Sequence, residues 1–118
     1  MGLQITKTTV SYGKEVWQHV HETAQGGFTL DPSGISAGYI EDGYLKPGTP
    51  ITYNEATRIA KVAGDNDAVK GLLYDSVKVE EGANVAVVLR GTVYERRIPA
   101  VSNTIKGKIP LIIFSQSF

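Results

Sequence analysis

The stretch from Gly71 to Pro99, GLLYDSVKVEEGANVAVVLRGTVYERRIP, limits what this chain can fold into more than any other. Val77 and Val79 alternate with Ser76, Lys78 and Glu80, the period-two pattern of a half-buried strand. Glu81-Gly82-Ala83-Asn84 supplies a reversal, and Val85 to Leu89 is then a continuous apolar run. Such a run is expected of a strand covered on both faces. Gly91 inside the same stretch predicts a bulge or a close backbone approach. No group in the block is placed as a nucleophile beside a base, a metal cage or a phosphate cradle. It reads as part of a structural or binding module.

The punctuation elsewhere extends this β reading. Asp31-Pro32-Ser33-Gly34 is a turn, because proline presets φ and glycine accepts positive φ. A short strand over Ile35 to Ile40 is expected to end at Glu41-Asp42-Gly43, and Lys46-Pro47-Gly48-Thr49-Pro50 makes a rigid corner. Ile51 to Tyr53 and Arg58 to Val62 pair as a hairpin across Asn54-Glu55-Ala56-Thr57, in preference to a capped helix over 54–63. Gly64 to Asp67 is a polar loop. Ala100 to Gly107 is a short helix or a loop, and Lys108 to Phe114 is a closing strand. Short strands between frequent turns predict a small barrel or sandwich.

The first residues differ from the rest. Ile5 to Tyr12 alternates weakly and carries threonines, and Val16 to His21 alternates again as VWQHVH before Gln25-Gly26-Gly27 breaks the segment. Residues 1–26 are therefore expected to form an extended arm or a loosely attached strand pair, and residues 27–118 the β-rich domain. Trp17 and Phe28 flank that arm. Aromatics with little local core either fold back on the domain or anchor a partner.

Composition narrows the function. Twelve Lys and Arg balance twelve Asp and Glu, so the chain lacks the long-range field on which phosphate binding draws. The chain contains no cysteine, which removes disulfides and thiolate chemistry. No window approaches the roughly 20 apolar residues of a membrane helix, and the first residues lack an apolar run of signal-peptide length. A soluble protein follows as the expectation.

Each site-like feature has a plainer reading. His19 and His21 at i and i+2 could begin a metal site, but the spacing selects no third ligand from Glu15 or Glu22, so two exposed polar residues is the preferred reading. Asp65-Asn66-Asp67 opens like a calcium loop but lacks the downstream glycine and bidentate glutamate; a solvated turn is preferred. Arg90, Arg96 and Arg97 cluster near Tyr94, yet Glu95 lies among them and Arg96 and Arg97 face opposite sides of a strand. Local ion pairs at a strand end account for them better than a nucleic-acid face. A platform of Trp17, Tyr39, Tyr44 and Tyr53 for a carbohydrate or peptide is a rival reading. No cofactor, metal or catalytic constellation is predicted.

The order AGYIEDGYLKPGTPI, NEATRIAKV, GLLYDSVKV and NVAVVLRGTVYERRIP, closed by an apolar strand, resembles tailed-bacteriophage head decoration proteins. Those nearest are the lambda head protein D type and the capsid-binding domains of head fibre proteins. The likeness spans roughly Phe28 to Phe114. It is clearest where Ala68-Val69-Lys70-Gly71-Leu72-Leu73-Tyr74-Asp75, an A-x-G-L-L-Y-D entry with one extra residue, precedes V-A-V-V…G-T-V. The resemblance implies a mainly β domain of mixed α+β, β-tulip type, that forms a homotrimer and binds the major capsid protein on the exterior of the mature virion head. It implies no enzyme, no direct contact with nucleic acid or membrane, and synthesis in the bacterial host cytoplasm. The arm would add a strand to the shell by backbone pairing, with Ile5, Val10, Tyr12, Trp17 and Phe28 as candidate capsid contacts. Another virion or tail protein is the alternative within the same class.

Overall fold

A computed structural model describes residues 16–24 and 27–116. The fold is mainly β. Its long sheet runs in the order β1 (Trp17–Thr23), β10 (Val87–Tyr94), β7 (Gly71–Leu73), β5 (Pro50–Asn54), β6 (Ile59–Val62), β2 (Phe28–Leu30) and β9 (Asn84–Val85). A further strand, β11 (Ile112–Ser115), lies parallel to β10 from Gly91 to Tyr94. Only Ala86 separates β9 from β10, so the two ends of the path from β10 to β9 are consecutive in the chain. The sheet must curl to satisfy that connection, and it forms a partial barrel.

A second, small sheet is made of β3 (Ile40–Glu41), β4 (Tyr44–Leu45) and β8 (Val77–Lys78). Asp42 and Gly43 join β3 to β4 with φ of 55° and 80°. Positive φ at both positions of a two-residue loop is the turn whose twist matches a hairpin, and an Asp-Gly pair accepts it readily.

The apolar run predicted to be covered on both faces is so covered at Val87 and Val88. Leu72 and Leu73 are both fully buried, as are Val87 and Val88. Successive side chains on a strand point to opposite faces. Leu72 and Val88 accordingly enter one core with Trp17, Val93, Ile105 and Ile112. Leu73 and Val87 enter the other with Phe28, Leu30, Leu45 and Ile51. Where β7 and β10 meet, at Leu72–Leu73 and Val87–Val88, they form a wall between two apolar clusters with no polar side chain on either face. The strand is interrupted at exposed Ala86 rather than continuous through it.

The hairpin over 50–62 forms as expected, with Ile51 opposite Val62 and Asn54 opposite Ile59. The Asn54 side chain accepts from the N–H groups of Ala56 and Thr57 at 2.8 and 3.2 Å, which closes the turn. The open choice at Ala100 to Gly107 resolves as α1 (Asn103–Lys108), with the Ser102 hydroxyl accepting from Ile105 N–H at its start.

Four expectations need correction. The closing strand does not run from Lys108 to Phe114: Lys108 ends α1, and β11 begins only at Ile112. Arg96 and Arg97 do not face opposite sides of a strand, because a 3₁₀ turn occupies Glu95–Arg97. Ile35 to Ile40 is not one strand: a 3₁₀ turn occupies Ala37–Tyr39 before β3 begins. Residues 17–23 are not loosely attached. They form β1, paired along β10 from Val93 to Val88, and the Tyr94 N–H donates to the Val16 carbonyl at 2.7 Å. The alternating VWQHVH pattern was a strand signal, and the reason it belongs to the domain is that β10 would otherwise expose that edge. Residues 17–23 therefore belong to the sheet, within the stretch expected to be an arm.

Candidate interaction surface

The sequence nominated five contact residues, and the structure separates them. Ile5, Val10 and Tyr12 lie outside the described residues. Trp17 and Phe28 belong to the two cores, 8% and 2% exposed. The Trp17 indole N–H donates to the Tyr74 carbonyl at 2.9 Å, so even its polar edge is used inside the fold. Phe28 stacks at 4.1 Å against Tyr53 and lies under the Arg58 guanidinium at 5.2 Å. Of the two fates open to these aromatics, folding back on the domain is the one adopted. Each large ring gains more from burial than from an exposed position in a free chain, so neither is available as a surface anchor.

The aromatic platform is not assembled either. Trp17 packs in the first core, whereas Tyr39 and Tyr53 pack against the second. Tyr44 is exposed on the small sheet. Burial holds the Tyr53 phenol above its ordinary range, with Glu55 adding to the effect.

The loop from Gly64 to Asp67 is filled by the protein's own cation. Lys108 Nζ donates to the Asp65 carbonyl and, at 2.8 Å, to the Asp67 carbonyl. Asp67 accepts from the Gly64 N–H at 2.7 Å, and Asp65 accepts from the Ser102 hydroxyl at 2.7 Å. These contacts tie the loop to α1 and match the reading of an ordinary turn.

The arginine cluster is likewise locally engaged. Arg97 lies over the Tyr94 ring at 5.2 Å, and Arg96 donates to Gln116 at 3.3 Å. Glu95 pairs with Lys106 and accepts from the Gln116 amide. Cations and acid alternate here, so no single-sign face results. In the turn at residue 31, Asp31 accepts from the Ser33 N–H and hydroxyl at 3.1 and 2.8 Å. The backbone bond and then the hydroxyl bond hold its carboxyl below the usual range.

Sequence reasoning missed one apolar surface. Leu111 and Ile113 are 59% and 62% exposed, the highest values among the large apolar side chains left to solvent. Both belong to the closing segment, where β11 pairs with β10 along Gly91–Tyr94 and Ile113 sits opposite Thr92. The available signal was the run Ile109-Pro110-Leu111-Ile112-Ile113-Phe114, too apolar for a strand with one face in water. Ile109 and Ile112 turn inward, and alternation forces Ile113 outward.

Among the described residues, no helix is long and apolar enough to cross a membrane. Compared with known protein families, curated proteins and solved structures, the chain has no match.

Proposed function

We propose that the chain is a decoration, or cementing, protein of a tailed-bacteriophage head, which acts as a homotrimer on the outer surface of the capsid. One observation carries the reading. The segment on which the resemblance is clearest, Gly71 to Pro99, supplies the wall between the two cores of a mainly β domain. A likeness of apolar and turn residues has physical meaning when those residues are the ones that set the fold.

Attachment in this reading needs no active site. Many weak contacts repeated over a symmetric trimer give avidity without any single strong one. The contact residues are revised by the burial of Trp17 and Phe28. Residues 1–15, with Ile5, Val10 and Tyr12, remain the proposed capsid-binding segment, and Leu111 and Ile113 are the apolar side chains that association between copies would cover. The virion exterior is the proposed site of action and the major capsid protein the proposed partner.

Co-sedimentation tests this directly. Mixed with expanded heads that lack decoration, the chain should pellet with them at micromolar concentration, and its mass in solution should be that of three copies. A chain that stays in the supernatant removes the reading. A six-fold ring in solution would instead favour a tail protein.

A further inference from the structure

We propose that the outer face of β1 carries a site for one divalent transition-metal ion of the copper(II) type, with the imidazoles of His19 and His21 as its two protein ligands. Unbroken alternation would put Trp17, His19 and His21 on one face. The register slips between Trp17 and His19, where two residues of β1 oppose one step of β10, and slips again between Val20 and Glu22. Such bulges re-aim side chains. Here Trp17 turns into the core while both histidines stay exposed.

The two rings meet edge to face, 4.3 Å between centroids with 76° between their planes. That separation has a chemical meaning. With a metal–nitrogen bond of about 2.0–2.1 Å, two imidazoles at right angles around an ion have centroids about 4.5 Å apart, and at the tetrahedral angle about 5.2 Å. The observed spacing fits adjacent corners of a tetragonal ion, the geometry preferred by copper(II), which also leads the divalent series in affinity for nitrogen ligands. Rotation about χ2, a soft torsion for histidine, is the adjustment that would turn one nitrogen of each ring toward the ion.

The strand beneath is held in place. Val20 faces Gly91, where a Cβ would stand 2.5 Å from the His19 carbonyl oxygen, so the two backbones are in close contact. A rigid backbone lowers the ordering cost of binding. Among the described residues no group of three or more His, Cys, Asp or Glu could hold a metal; water would complete the shell, and the ion would exchange readily.

The test is a copper(II) titration of the full chain at about pH 7.5, read by the fluorescence of Trp17, the only tryptophan. Saturable quenching at one equivalent, reversed by a chelator, is expected, with nitrogen ligation in the electron paramagnetic resonance spectrum. His19→Ala and His21→Ala should each weaken binding roughly tenfold or more. Both side chains are exposed, so circular dichroism of the variants should match the parent. Quenching that never saturates, or a double variant that binds as tightly as the parent, would overturn the site.

Discussion

The Trp17 indole N–H donates to the Tyr74 carbonyl at 2.9 Å, which ties the first described strand to the chain just beyond β7. The ring itself is 8% exposed among Leu72, Val88, Val93 and Ile105. Trp17→Ala should cost about 3–5 kcal/mol, the range for emptying a large aromatic site. Trp17→Phe should cost less, because most apolar burial survives while the Tyr74 carbonyl loses its donor, at about 1–3 kcal/mol. Urea denaturation of both variants checks the order. Equal stability of Trp17→Ala and the parent would mean that the ring is not a core element.

Two truncations separate the contact segment from the fold. Removal of residues 1–15 leaves every described core side chain in place, so the shortened chain should remain folded, with a cooperative thermal transition. Removal of residues 1–26 also deletes β1 and uncovers one edge of β10, and that chain should lose cooperative unfolding or aggregate. A well-folded product of the longer deletion would return β1 to the status of an arm. In the proposed function, the shorter deletion should also abolish sedimentation with heads.

Gly91→Ala places a methyl group against backbone rather than against a side chain that can move. The nearest atom is the His19 carbonyl oxygen at 2.5 Å. Overpacking of this kind typically costs about 1–3 kcal/mol, and the rigid neighbour puts this site at the upper end. The expected signature is a lower urea midpoint with faster amide exchange in β1. An unchanged midpoint would show that the two strands can separate at no cost.

Leu111 and Ile113 offer the opposite case. Lysine at either position replaces an exposed apolar group, so stability should stay within about 0.5 kcal/mol of the parent. Association between copies should weaken if this apolar surface is covered in the trimer, and analytical ultracentrifugation would show a shift to smaller species. A trimer untouched by the double substitution would place the interface elsewhere.

Asp31 gives a pH signature. Its carboxyl is held below the ordinary value of 3.8 by its bonds to Ser33. A carboxyl that loses its proton more easily in the folded chain stabilises the fold fully above its unfolded value, and that contribution fades as pH falls through the lower folded value. Asp31→Ala should therefore flatten stability against pH only below about pH 4, and carbon-detected titration should find Asp31 among the more acidic aspartates. A difference between variant and parent that fails to shrink as pH falls below about 4 would contradict this assignment.

Local patterns alone determined much of the architecture. Turn chemistry at Asp31–Gly34, Asp42-Gly43 and Asn54–Thr57 depends on nearest neighbours, and each is where the sequence placed it. The run Val85–Leu89 announced burial on both faces, which the structure shows at Val87 and Val88, and Gly91 announced a close approach, because neither pattern suits a strand with a solvated face. The tertiary structure decided which strands meet. Sequence could not say that β9 pairs with β2 while β10, one residue later, pairs with β1, β7 and β11, since those partners are set by closure of the sheet. The same closure decided that Trp17 and Phe28 turn inward and that Ile113 turns out. Whether an aromatic beside a flexible-looking segment anchors a partner or a core depends on the surface that arrives to cover it, and that surface is assembled from residues far away in the chain.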